Sequence, residues 1–171
     1  MDTQLRDAAK KEAQRIIEDV LFSARRHFET ARIWSLMHYW IGLPTAVLAA
    51  ITGASAFKNN TALAGTLAII VTALTALMTF LNPNKRSNEH HIAGNGYNAL
   101  RNQTRIFCEI DLVESNQQID INKRIKELAK ERDVLNQNSP QTFKWAYKKA
   151  KESIESGEAA YAVDQCDPDK Q

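Results

Sequence analysis

The residues with the strongest claim to chemistry in this 171-residue chain stand in two short groups. Glu89, His90 and His91 form the first, an ionisable cluster of the kind that holds a metal or moves protons. A metal site on a helix wants histidines four residues apart on one face, whereas adjacent histidines point about 100° apart. The spacing therefore predicts a surface or interhelical pair. Tyr97, Arg101 and Arg105 form the second group and fall on one helical face, where a ring and two guanidinium groups can hold a nucleotide's base and phosphates. Arg105 also stands four residues before Glu109, the spacing of an ordinary solvated ion pair, so both readings of this face stay open.

Other chemistry is hard to find. Cys108 and Cys166 are far apart and belong to no CxxC pair, which points to free thiols rather than a zinc site or a disulfide framework. No glycine-rich phosphate loop, GxSxG elbow or HExxH motif occurs. The expectation is a protein with no catalytic residues, no cofactor and no metal. The net charge of +2 is spread evenly, with seven basic against six acidic residues before Trp34 and fourteen against fourteen from Lys85 onward. No block is basic enough to point to nucleic acid.

What must position these residues is visible in where charge is missing. No formal charge occurs between Arg32 and Lys58, and none between Lys58 and Lys85. A hydrocarbon core about 30 Å thick needs roughly 20 helical residues, and HYWIGLPTAVLAAITGASAF (38–57) and ALAGTLAIIVTALTALMTFL (62–81) both satisfy that length. Only residues 58–61 join them, so the second span returns antiparallel to the first. Arg25, Arg26 and Arg32 precede the hairpin and Lys85 and Arg86 come after it, against one lysine in the turn. The positive-inside bias then puts both termini in the cytoplasm of a multi-pass protein. Trp34, Tyr39 and Trp40 cluster at the membrane entry, as amphipathic rings do. The first 32 residues are charged throughout, so no cleavable signal is expected.

Within the spans the side chains sort by face. Gly42, Ala46, Ala49, Gly53 and Ala56 make a small stripe on the first; Thr61, Gly65, Ala68, Thr72, Thr75 and Thr79 make a small and hydroxyl-bearing stripe on the second. Small stripes let helices approach closely, so one reading is packing of the hairpin and of its copies. The other is that Thr72, Thr75 and Thr79 line a watery path. Two helices enclose no hole, so a pore requires a homo-oligomer. The spans hold no Asp, Glu, Lys, Arg or His beyond His38, which argues against a proton relay, a voltage sensor or ion-coupled transport.

Outside the membrane the pattern is helical. Ala13, Ile17, Val20, Leu21, Ala24, Phe28 and Ala31 repeat on one face, and no Gly or Pro interrupts residues 2–41, with Pro44 able to bend the helix beyond. Asn82 and Pro83 mark a break, after which a helix runs from about Lys85 to Val113, weakened by Gly94 and Gly96. Ser115 with Gln118 has the form of a capping box ahead of Ile121, Ile125, Leu128 and Leu135. Ser139 with Pro140 reads as the start of a last helix carrying Phe143, Tyr147, Ala150 and Ile154 and ending at Gly157. The fold class is thus an all-α membrane protein: a two-helix transmembrane hairpin with long cytoplasmic helices before and after it. As one domain, 1–157, it comprises a cytoplasmic N-terminal helix (1–37), first span (38–57), outer turn (58–61), second span (62–81) and C-terminal helices (82–157), with a loose tail at 158–171.

In the order and spacing of the lead-in ARRHFETARIW, the hairpin, the exit FLNPNKRSNEHHIAGNGYNALRN and the closing FKWAYKKAKESIESG, residues 10–157 resemble the SLATT family, two-transmembrane effector domains of bacterial conflict systems. The resemblance implies a bacterial inner-membrane effector that oligomerises, forms a pore and kills or arrests the cell. It also implies control by a nucleotide-generating or nucleotide-sensing partner. Almost the whole chain is the effector unit, so control is expected through a separate protein, a diffusible ligand or assembly. The rival is a non-conducting anchor or adaptor that holds a cytoplasmic partner at the bilayer, and a membrane-bound enzyme using His90 and His91 is a third reading.

Overall fold

Nothing between Thr3 and Ile41 breaks a helix, and helix α1 runs without interruption from Thr3 to Phe57 in the computed structural model, which describes residues 3–112 and 118–158. Pro44 lies inside α1, where its ring removes one backbone donor, and the helix continues through it. Beyond α1, asparagines punctuate the chain. Asn59 takes the left-handed conformation (φ 56°) that reverses the chain, and Asn60 caps helix α2 (Thr61–Leu81) by accepting from the Leu63 N–H at 3.2 Å. Asn82 is also left-handed (φ 42°, ψ 58°); its N–H closes α2 on the Met78 carbonyl at 2.9 Å, while its Oδ1 accepts from the Lys85 N–H at 3.3 Å. One residue therefore ends α2 and caps α3 (Pro83–Ile106), with Pro83 at the position where its missing donor costs nothing.

A single turn of π-helix, Phe107–Asp111, extends α3. Phe107, the first residue of this turn, is buried in the core, and the neighbouring Cys108 packs against the same core, where burial raises its thiol pKa. Helices α4 (Gln118–Asn138) and α5 (Lys144–Glu155) complete the described chain, and all its regular structure is helical. Ser139 and Pro140 do not open the last helix. The residue before a proline is pushed out of the helical region, so this pair ends α4, and α5 starts only after Phe143 in extended geometry (φ −72°, ψ 147°). Ser115 of the capping box, Val113, Cys166 and residues 159–171 of the tail lie outside the described residues.

The chain forms two compact units, Met1–Thr30 with Glu89–Gln171, and Ala31–Asn88. The first is a bundle built on α1, α3, α4 and α5. Its core takes Ala9, Ala13, Ile16, Val20 and Ala24 from α1, Tyr97 and Leu100 from α3, and Ile121 and Leu128 from α4. Burying each larger side chain stabilises the bundle by about 1.5–3 kcal/mol. The buried face of α1 passes through Ile16, leaving Ile17 and Leu21 half-buried at its edge. Ala146 and Ala150 are fully buried on α5, and Tyr147 stacks on Phe22 at 6.2 Å. Gly94 and Gly96 are not weak points in α3: a Cβ on Gly94 would stand 2.8 Å from the Phe28 ring, and one on Gly96 2.9 Å from Leu135. At Gly94 the Phe28 ring lies directly against the backbone and leaves no room for a Cβ, whereas at Gly96 the close neighbour is the terminal methyl of Leu135.

Candidate functional site

The second unit is the hairpin, and its seam is set by the turn. Three residues, Lys58–Asn60, join the spans, which fixes which faces meet. The less exposed positions on α1 are Ile41, Thr45, Leu48, Thr52 and Ser55, and on α2 Ala64, Leu67, Val71, Leu74, Met78 and Leu81. Both sets alternate in steps of three and four, the spacing of a coiled-coil seam. Thr45 and Thr52 donate to the carbonyls of Ile41 and Leu48, at 2.6 and 2.7 Å, so neither brings an unpaired donor into the seam.

The small and hydroxyl stripes lie elsewhere. Ala46, Gly53, Thr72, Thr75 and Thr79 are exposed, and nothing lies within 4 Å of a Cβ placed on Gly53 or Gly65. Gly42 differs and faces the other span, with Met78 Cε 3.6 Å from where its Cβ would stand. Apart from Gly42, the stripes thus lie off the contact face, which α1 builds from Ile41, Thr45, Leu48, Thr52 and Ser55 and α2 from Ala64, Leu67, Val71, Leu74, Met78 and Leu81. Thr72 and Thr79 donate their hydroxyl protons to the carbonyls of Ala68 and Thr75, at 2.7 and 2.9 Å. Their outward lone pairs remain to accept from water or to coordinate a cation. With Val71, Ala76 and Phe80 they line an open groove of about 600 Å³. Trp34 departs from the expected belt: it is buried, with the Arg86 guanidinium 5.1 Å from its ring, while Tyr39 and Trp40 are exposed.

In the first unit the polar residues converge at one place. His27 falls on the buried face of α1 between Ala24 and Ala31, and its Nδ1 stands 3.0 Å from Nδ1 of buried His90 on α3. One ring must donate and the other accept, so only one of the two Nδ1 atoms carries a proton in this contact. Burial first, then the charges of His90 and Arg26, lower the His27 pKa to about 4. His91, one residue on, is exposed and lies near Phe28. Adjacent histidines therefore point to different surroundings, and among the described residues no three His, Cys, Asp or Glu side chains gather as a metal would require.

Tyr97 stacks on His27 with ring centroids 5.4 Å apart and donates its hydroxyl proton to Asn136 Oδ1 at 2.9 Å. These residues border a polar pocket of about 390 Å³ whose guanidinium comes from Arg26 on α1. Nε and Nη2 of Arg26 both donate to Thr142 Oγ1, at 3.1 and 2.6 Å, and its guanidinium lies 5.9 Å from the Tyr147 ring. Arg101 and Arg105 do not line this pocket. Arg105 reaches Glu109 at 4.0 Å, the ion pair its spacing allows. Of the sequence candidates only Tyr97 is at the pocket. Periodicity marks His27 as buried, but nothing in the sequence joins Arg26 to Asn136 and Thr142.

No curated protein and no solved structure matches the chain. A family model does: that of the SMODS and SLOG-associating 2TM effector domain family 4, over residues 10–165. That span includes the lead-in, both apolar helices and the aqueous bundle. With two helices long and apolar enough to cross a bilayer, the chain is a two-span membrane protein and belongs to the SMODS and SLOG-associating 2TM effector domain family 4.

Proposed function

We propose that this protein is a pore-forming effector of the bacterial inner membrane, with both termini in the cytoplasm, that arrests or kills the cell when copies of the hairpin assemble. One observation carries the reading. Besides the seam, which itself includes Gly42, Thr45, Thr52 and Ser55, each span keeps a second set of small or hydroxyl residues facing outward: Ala46, Ala49, Gly53 and Ala56 on α1, and Gly65, Ala68, Thr72, Thr75 and Thr79 on α2. A two-helix unit with a closed seam and a second face of small residues is suited to side-by-side association, because close approach replaces the hydrophobic drive that lipid does not supply. Threonine lone pairs then provide a weakly selective lining once several α2 helices surround an axis. The family description associates the domain with SMODS and SLOG modules, which fits release of assembly by a nucleotide-generating or nucleotide-sensing partner.

The test is solute flux from liposomes carrying the purified protein, alone and with its partner or a nucleotide signal. Flux that Thr72→Leu/Thr79→Leu abolishes while insertion is retained supports the pore. A hairpin that inserts but conducts under no condition is an anchor, and the proposal fails.

A further inference from the structure

The polar pocket of the first unit has features that the hairpin's work does not need. Four segments meet there: Ser23, Arg26 and His27 of α1, Tyr97 of α3, Asn136 of α4, and the link between α4 and α5 with Thr142. Its volume of about 390 Å³ lies within the range of small-ligand pockets. No carboxylate lines it, and among the described residues none pairs with Arg26. A half-buried guanidinium normally meets an anion, because desolvating a charge without a counter-charge is costly. Here two of its five N–H groups go to one neutral hydroxyl, and the ring of Tyr147 holds the fork from one side. Beside it, the stacked rings of His27 and Tyr97 border the pocket with little of either ring exposed. The neighbouring hydroxyls and amides are neutral groups that can donate to phosphate oxygens.

We propose that this pocket binds a small phosphate-bearing molecule, up to about the size of a mononucleotide, with Arg26 as the anion anchor and His27 and Tyr97 at its border. Such a ligand bridges α1, α3 and the α4–α5 link, so occupancy adds a further tie among segments already joined by the Arg26–Thr142 hydrogen bonds and the His27–Tyr97 stack. The inference does not depend on conduction, since binding is read on protein that need not form a pore.

The experiment titrates the full chain in detergent with inorganic phosphate, AMP and adenosine, read by calorimetry and thermal shift. The expected result is binding of AMP, of inorganic phosphate, or of both, and none by adenosine; the two phosphate arms tell a free anion from a nucleotide. Arg26→Ala weakens that binding on the order of 10- to 100-fold, and Arg105→Ala leaves it unchanged. Arg26→Lys, which keeps the charge but not the fork, falls between. Because Arg26→Ala also removes a contact to Thr142, the parent chain supplies an independent reading. The bound probe slows phenylglyoxal modification of Arg26 and not of Arg105, measured by mass spectrometry. Failure of both phosphate probes to bind, adenosine binding as tightly as AMP, or undiminished binding by folded Arg26→Ala each overturns the proposal.

Discussion

Acidification should destabilise this protein through one imidazole. His27 is only 4% exposed, and its partners favour the neutral ring: the Nδ1 contact with His90 needs one acceptor, and Arg26 adds a fixed positive charge. The folded-state pKa of about 4 lies below the ordinary 6.5. The unfolded chain therefore binds this proton first as pH falls. Stability is complete above pH 6.5, declines between 6.5 and 4, and levels off below the folded value. Linkage puts the loss between about pH 7.5 and about pH 5 at roughly 2 kcal/mol. At 2–4 °C per kcal/mol for a chain of this size, that is a fall of about 4–8 °C in Tm. The assay is thermal unfolding of the full chain in detergent by circular dichroism at both pH values, beside His27→Gln, which keeps hydrogen-bonding capacity without an ionisable ring. The variant should lose most of the pH dependence. An unchanged parent Tm at the lower pH, or a His27→Gln variant that keeps the whole fall, would refute the assignment.

Packing and backbone geometry give three more expected outcomes. Leu128→Ala removes a fully buried side chain from the bundle core and should cost about 3 kcal/mol, seen as a lowered Tm. At Asn82, left-handed at the end of α2, a β-branched replacement such as Asn82→Val should cost about 1–2 kcal/mol by thermal unfolding, whereas Asn82→Gly should cost less. Gly94→Leu drives a side chain into the Phe28 ring and should lower Tm, while Gly65→Leu, with open space around it, should leave the Tm of the unassembled hairpin unchanged.

How far the sequence carries can be read from individual residues. The spans were legible because an aqueous helix cannot sustain twenty uncharged residues, and the continuity of α1 because nothing before Gly42 breaks it. The seam was not. In water an apolar stripe names the buried face, but in lipid every face of a span is apolar, so Leu67, Val71 and Leu74 carry no sign that they, and not the small stripe, meet the other helix. The turn at Lys58–Asn60 decides it. Pro140 carried two meanings, stopping one helix or starting the next, and only its neighbours in space select the first. Gly94 and Gly96 look like defects until Phe28 and Leu135 are seen against them. The Arg26 pocket draws on residues 23, 26, 27, 97, 136 and 139–142, and no local pattern joins positions so distant.

The proposed pore is tested most directly by cysteine accessibility along α2. In a background with Cys108→Ser and Cys166→Ser, single cysteines from position 63 to 81 are exposed to a membrane-impermeant thiol reagent in liposomes, with the protein activated for flux. The account predicts reactivity at 72, 75 and 79, with protection at the seam positions 67, 74 and 78. Protection of 72, 75 and 79 in conducting liposomes, or reactivity that tracks the seam instead, would contradict it.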